Sequence, residues 1–139
     1  MKNSIKLIAI ICTAIIFATA NMAMAQKAGA AWVIPAKYKA MKSTVKAGAP
    51  SIATDGKALY AQHCKSCHGA KGLGDGPKAA NLKTLTGDFS SAKFQAATSD
   101  GDLYYMSFIG RDEMPNFEKK ITDEADKWAV IGFIRTLKK

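Results

Sequence analysis

The sequence predicts an all-α fold, because capped helices can be traced along it and no segment alternates apolar and polar residues as a strand would. The last helix is the best marked. Thr122 can cap it, acidic residues fill its positive first turn, and basic residues lie near its negative end. Its apolar side chains are spaced for one buried face: Trp128, Ile131, Ile134 and Leu137.

Shorter helices are expected earlier, each next to residues that start or stop a helix. Glycines make residues 69–88 a loop with one helical turn, and a second loop, 111–121, surrounds Met114-Pro115. The expected helices cover residues 36–45, 54–64 and 101–109, with Thr54 or Asp55 and then Ser99 or Asp100 as caps, Gly110 as a stop, and the turn at 77–82.

The first 25 residues are typical of a cleaved export signal. Lys2 and Lys6 precede an apolar run, and Ala23-Met24-Ala25 supplies small residues before an expected cleavage at Gln26. A retained transmembrane helix is the alternative, but the run covers about 14 residues where a bilayer needs ~20. The expected organisation is therefore 1–25 signal peptide, 26–53 extension and 54–139 main domain. Export to the periplasm or beyond also excludes nucleic acid as a partner.

Removal of the signal changes the charge and the cysteine count. The full chain carries +9, and loss of two lysines and no acidic residue leaves +7. Cys12 is lost as well, so Cys64 and Cys67 are the mature cysteines. The extension holds Trp32 and Tyr38, which favours an arm packed on the domain over a free one.

Cys64-Lys65-Ser66-Cys67-His68 is the C-x-x-C-H pattern of c-type haem attachment. Two thiols at this spacing can add to two vinyl groups of the porphyrin, and the next imidazole can then bind its iron. A redox disulfide pair would require a β-α-β context that is absent here. A zinc site using His63 would crowd four ligands into six residues, and an inert disulfide leaves His68 unexplained.

A methionine is the expected second axial ligand of the haem iron. Met41 lies in the arm, and Met106 lies among aromatic residues of a helix, where a core role is expected. Met114 lies in a loop stiffened by Pro115, and a thioether held by a rigid loop suits an iron that changes charge. A lysine nitrogen, an open position, or a Met114 that only packs are the alternatives.

Beyond these motifs, the chain resembles class I cytochromes c of the bacterial monohaem type over residues 54–138. The resemblance is carried by Gly56-Lys57-x-Leu59-Tyr60, C-x-x-C-H, the glycine-rich segment Gly69 to Pro77, Met114-Pro115-x-Phe117 and the last helix. It implies three to five helices around one covalently bound haem c. It also implies a hydrogen bond from the Nδ1–H of His68 to the carbonyl of Pro77. Gly56 and Tyr60 would meet the last helix, where the candidate partners are Trp128, Gly132 and Phe133.

The expected function is one-electron transfer by a soluble periplasmic carrier, not an enzyme, because His68 and Met114 leave no position for a substrate. The partners would be acidic-faced dehydrogenases, reductases or oxidases, and the carrier is expected to be a monomer. One alternative is an electron-transfer subunit of a larger complex, membrane-associated or periplasmic, docked through the arm. Another is an enzyme or gas sensor with an open sixth position. Lysines expected near the haem would steer partners: Lys65, Lys71, Lys78, Lys83, Lys119 and Lys120.

Overall fold

The structure is a computed structural model that describes residues 29–139. Ala31–Lys139 form one compact unit that holds every element given below. The predicted export signal and its cleavage point before Gln26 lie outside the described residues. Among those residues, no helix is long and apolar enough to cross a membrane.

The described part of the chain is helical and contains no strand, which confirms the predicted all-α class. Within it, the one strand-like pairing is an isolated bridge between Arg111 and Met114. Two π-helical turns are continuous with helices, and a short 3-10 turn lies at Ala79–Asn81. In order, the elements are α1 Ala36–Lys39, a π-helical turn Ile52–Gly56, α2 Lys57–His63, α3 Lys65–His68, α4 Ala92–Ala97, α5 Asp100–Tyr104, a π-helical turn Tyr105–Ile109, and α6 Glu124–Thr136.

The first long helical stretch begins earlier than the sequence predicts. Helical residues start at Pro50, whose fixed φ suits the first position of a helix. The predicted caps Thr54 and Asp55 therefore lie inside the stretch, and the Thr54 hydroxyl donates to the Pro50 carbonyl one turn back, at 3.2 Å. The added turn buries Ile52, which is 6% exposed and explains why the helix extends this far.

The caps of the later helices agree with the sequence in part. Ser99 caps α5 as predicted, with a complete capping box. Asp123, not Thr122, caps α6, because its carboxylate accepts an amide hydrogen bond at 3.0 Å within the first turn. Helix α4 was not predicted, although Ser91 caps it. The expected helix over residues 36–45 is limited to α1.

The stretch containing α2 crosses α6 at close range. A Cβ atom at Gly56 would overlap the carbonyl oxygen of Ala129, so only glycine allows this approach. The ring of Tyr60 lies 5.1 Å from that of Phe133, as the resemblance implies. Gly132 is also in this crossing, in contact with the Ile52 side chain. Three of the four residues of the predicted buried face of α6 are confirmed, since Trp128, Ile131 and Ile134 are each at most 2% exposed. Leu137 caps the end of the helix and is only partly buried.

The arm packs on the same compact unit. Tyr38 lies against Tyr105, with ring centroids 4.8 Å apart, and Trp32 meets Tyr105 edge-on at 6.3 Å. Met41 is partly buried against the hydrophobic core. These contacts bury aromatic surface and explain why the arm is ordered along α5 and its π-helical turn.

Candidate haem-binding site

The helical turn α3 places the two cysteines and the histidine of the motif on one side. The carbonyl of Cys64 accepts from the amides of Cys67, at 3.2 Å, and of His68, at 3.0 Å. Residues three and four positions apart in such a turn lie on the same face. Both cysteines are free and partly buried, and the three residues of the motif lie on one face of the turn.

His68 is buried without a hydrogen-bond partner. It is 8% exposed, and neither of its ring nitrogens has a partner among residues 29–139. An unsatisfied buried polar group costs about 1–3 kcal/mol, so such an atom calls for an explanation. Burial lowers the pKa of His68 to about 4. The backbone of Gly87 is close enough to oppose part of this effect, but it does not meet the geometry of a hydrogen bond to either ring nitrogen. The ring is therefore neutral at pH 7 and keeps a lone pair available to a metal.

Phe89 orients the imidazole of His68. The two rings are stacked, with centroids 4.4 Å apart and planes 16° from parallel. The buried Gln95 side chain donates to the Phe89 carbonyl at 2.7 Å, and the Phe89 amide donates to the carbonyl of Gly72 at 2.6 Å. The ring that packs on His68 is thus held at its backbone from two directions. Sequence reasoning did not identify Phe89 or Gln95.

Pro77 lies in the loop that returns to the haem-binding turn, and its hydrogen bond to His68 stays a prediction from the resemblance. Pro77 is exposed, and its neighbours bond to the backbone of the haem-binding turn. The Gly76 amide donates to the Cys67 carbonyl at 3.1 Å, and the Lys78 amide donates to that of Ser66 at 2.9 Å. The loop thus returns to the motif and stabilises its main chain.

The state of the cysteines disfavours a redox disulfide pair. Burial, with a smaller contribution from Cys67, raises the pKa of the Cys64 thiol to about 12. A reactive redox cysteine needs a lowered pKa and an electropositive setting. The absence of any strand in residues 29–139 removes the β-α-β context as well. The described residues also hold no cluster of three or more His, Cys, Asp or Glu side chains able to bind a metal ion, which disfavours the zinc alternative.

Met114 ends a tight turn that follows the π-helical turn Tyr105–Ile109. The amide of Arg111 donates to the Met114 carbonyl at 2.9 Å, and the Met114 amide donates to the Arg111 carbonyl at 2.8 Å. Gly110 enters the turn at φ 70°, and a Cβ atom there would overlap the carbonyls of Met114 and Pro115. The Met114 side chain is partly buried against the same hydrophobic core as Cys64.

Two charged side chains anchor this turn, and sequence reasoning missed both. The Glu113 carboxylate accepts from the amides of Lys83, at 2.7 Å, and Thr84, at 3.1 Å. The Arg111 guanidinium donates to the carbonyl of Ala31 at 2.9 Å. Each partner lies far away in the sequence, so no local pattern could have revealed it.

The other histidine and the other two methionines of the described chain pack against neighbouring side chains. His63 packs its ring on Phe117, at 5.6 Å. Met106 lies in the π-helical turn and, like Met41, is partly buried against the core. This partial burial agrees with the core role expected for Met106 and with a packed arm at Met41, but Met114 is partly buried there too, so burial does not by itself select the ligand.

The residues present fit a covalently bound haem c. Two free thiols and a neutral, buried and unpartnered imidazole share one turn, and this donor set matches two thioether bonds and one nitrogen ligand to iron. An all-α fold with such a site defines a c-type haem protein.

The comparisons with known proteins agree. The sequence profile of the cytochrome c family matches residues 53–138, and the chain belongs to that family, with the features of a class I cytochrome c. Among solved structures, it is similar to the KustC0563 c-type cytochrome. The two are 37% identical with a TM-score of 0.53, over 61% of this chain and 99% of that one. No curated protein matches the sequence.

Proposed function

We propose that the protein is an exported one-electron carrier, in which a covalently bound haem c has His68 and Met114 as axial ligands. The observation that carries the proposal is the buried imidazole of His68, whose nitrogens have no partner among the described residues. The bound haem would supply the reversible change of iron between its ferric and ferrous states. The family's general role in electron transfer supports this assignment.

The assignment of Met114 rests on the rigidity of its turn. Two main-chain hydrogen bonds close the turn, and Glu113 ties it to the 83–84 loop. A neutral thioether ligand favours the ferrous state and raises the reduction potential. A turn restrained in this way would keep that ligand in place in both oxidation states, which limits the reorganisation that accompanies electron transfer.

The test is the visible spectrum of the purified holoprotein and of two variants. We expect the oxidised wild type to show the weak methionine-to-iron charge-transfer band near the red end of the spectrum. Met114→Ala should lose the band and bind carbon monoxide quickly when reduced, whereas Met106→Ala should keep the band. Loss of the band in Met106→Ala alone would make Met106 the ligand. A high-spin ferric wild type would support an enzyme or sensor instead.

Surface charge supports docking to acidic-faced redox partners. The six lysines expected near the haem are all exposed. Lys65 lies between the two cysteines, and the Lys78 amide bonds to the carbonyl of Ser66 in the same turn. Lys83 is tied through its amide to Glu113, beside Met114. Exposed lysines therefore lie beside both the attachment turn and the proposed ligand turn, although the ligand turn also contains Asp112 and Glu113.

The subunit alternative gains no support from the arm. Its large aromatic residues, Trp32 and Tyr38, pack against Tyr105 of this chain and are therefore engaged within the protein itself. Gel filtration of a native extract would separate the two proposals. We expect the protein to elute as a monomer of about 15 kDa or less; stable elution with a larger complex would favour the subunit.

A further inference from the structure

Arg111 connects the arm to the turn that carries Met114. Its Nη1 donates to the carbonyl of Ala31 at 2.9 Å, and its guanidinium carbon lies 4.0 Å from the centre of the Trp32 ring. A guanidinium over an indole ring is a favourable cation–π arrangement. The same residue exchanges both main-chain hydrogen bonds with Met114. Arg111 therefore joins the arm to the turn directly.

The arm also contacts the π-helical turn Tyr105–Ile109, which leads into the Met114 turn. Tyr105, the first residue of the π-helical turn Tyr105–Ile109, packs against both Trp32 and Tyr38. Trp32 thus contacts the chain on both sides of Gly110, at Tyr105 before it and at Arg111 after it. Movement of the ligand turn relative to the π-helical turn would break at least one of these contacts.

The turn itself holds local strain. Asp112 has φ 48°, the one positive value at a residue other than glycine among residues 29–139. Such conformations cost of order 1–3 kcal/mol and persist where the surroundings over-determine them. The surroundings here are Glu113 on one side and the arm on the other. The arm lies outside the family match, which begins at residue 53, so its contribution is an addition to the common domain.

We propose that the arm is a positioning element for the Met114 ligand turn, with Trp32 and Arg111 as the positioning residues. It restricts opening of the turn and thereby slows replacement of Met114 by external ligands. The proposal rests on Met114 being the axial ligand, as proposed above. Glu113 anchors the turn independently, so loss of the arm contact loosens the turn without releasing it.

The experiment measures imidazole binding to the oxidised holoprotein by stopped flow, in Trp32→Ala, Arg111→Ala and the double variant. We expect each single variant to bind imidazole about tenfold faster than wild type, the order expected for loss of one hydrogen bond or one cation–π contact. Both changes remove the cation–π contact, but Arg111→Ala also removes the hydrogen bond to Ala31 and Trp32→Ala also removes the contact with Tyr105. The effect of the double variant should therefore exceed that of either single variant and be smaller than their product. Val33→Ala, a change at an 87% exposed neighbour in the arm, is the matched control and should behave as wild type.

A second measurement does not depend on the ligand. Hydrogen exchange at the amides of Arg111 and Met114, which bond to each other's carbonyls, should accelerate in Trp32→Ala while amides of α6 keep their protection. If the wild type shows the methionine band but the variants exchange these amides and bind imidazole at wild-type rates, the positioning role of the arm is overturned and Met114 ligation is not. A wild type without that band would overturn Met114 ligation instead, and unchanged exchange in Trp32→Ala would then overturn the arm's hold on the turn as well.

Discussion

Glu113 connects two loops that are distant in sequence. Its carboxylate accepts hydrogen bonds from the amides of Lys83 and Thr84, and a longer one, at 3.4 Å, from the Thr84 hydroxyl. One ionised oxygen thus satisfies two main-chain donors that would otherwise need water. Because hydrogen bonds to charged groups are stronger than neutral ones, this residue fixes the position of its neighbour Met114.

Glu113→Gln keeps the shape of the side chain and removes its charge. We expect the free energy of unfolding to fall by about 1 kcal/mol, because charge-assisted bonds become neutral ones. Guanidinium unfolding of the holoprotein measures this as a lower midpoint with an unchanged slope. Glu118→Gln makes the same change in charge at a nearby exposed position and should leave the midpoint in place. Equal effects of the two variants would contradict the role of Glu113.

For single residues, the sequence predicted groupings of near neighbours in the chain and missed contacts between residues far apart in the chain. Cys64, Cys67 and His68 could be predicted together because five consecutive residues define their spacing and one helical turn brings them to one face. The partners of Glu113 and Arg111 lie 29 to 80 residues away, so only the folded chain shows them. The hydrogen bond between His68 and Pro77 that the resemblance implies stays a prediction, and the neighbours of Pro77 are the residues that bond to the haem-binding turn in the structure.

Among the elements, the crossing of the α2 stretch with α6 depends most on a single residue. Gly56 faces the backbone of Ala129, and backbone cannot move aside as the end of a flexible side chain can. The tightness of this contact keeps Tyr60 close enough to donate to the Gly69 carbonyl, at 2.8 Å, directly after the haem-binding turn. The helix crossing and the attachment site are therefore mechanically linked.

Gly56→Ala should destabilise the protein by about 1–3 kcal/mol, because the added methyl group overlaps a carbonyl oxygen and forces the helices apart. Thermal unfolding followed by circular dichroism measures the change. The control is Gly87→Ala, where a Cβ atom would find neighbours only at 3.9–4.0 Å and φ is not positive. We expect the control to stay within about 0.5 kcal/mol of wild type, and similar losses in both variants would count against a special role for the crossing.

Helix ends were harder to predict than helices. The periodicity of α6 identified its buried face, yet the cap is Asp123 rather than Thr122, because adjacent residues of similar capping ability cannot be ranked without their geometry. The early start at Pro50 results from burial of Ile52 against α6, a tertiary contact that local signals do not contain. Helix α4 was missed because its six residues are too few for a periodic pattern.

For the molecule as a whole, the positive charge is carried largely by exposed lysines. The full chain has a net charge of +9, or +7 without the predicted signal. Two ionised haem propionates would leave about +5, still enough to attract anions at low salt. Because several of these lysines lie beside the two turns of the site, the attraction should be directional.

Electron transfer to small charged reagents tests this distribution. Oxidation of the reduced protein by an anionic reagent such as ferricyanide should slow as salt rises, and oxidation by a cationic cobalt complex should accelerate. Lys78→Glu should lower the anionic rate at low salt roughly two- to threefold more than Lys42→Glu, which makes the same charge change in the arm. Equal rates for the two variants would mean that only net charge matters.

The contact between the arm and Arg111 also has a consequence for the order in which the chain assembles. It joins residues 80 apart, whereas the turn holding Cys64 and His68 closes over four. Short loops close earlier because their entropic cost is smaller. Closure of the haem-binding turn is therefore expected to need less loss of chain entropy than the contact between the arm and the Met114 turn. The attachment site could then accept the cofactor before the arm restrains the proposed ligand turn.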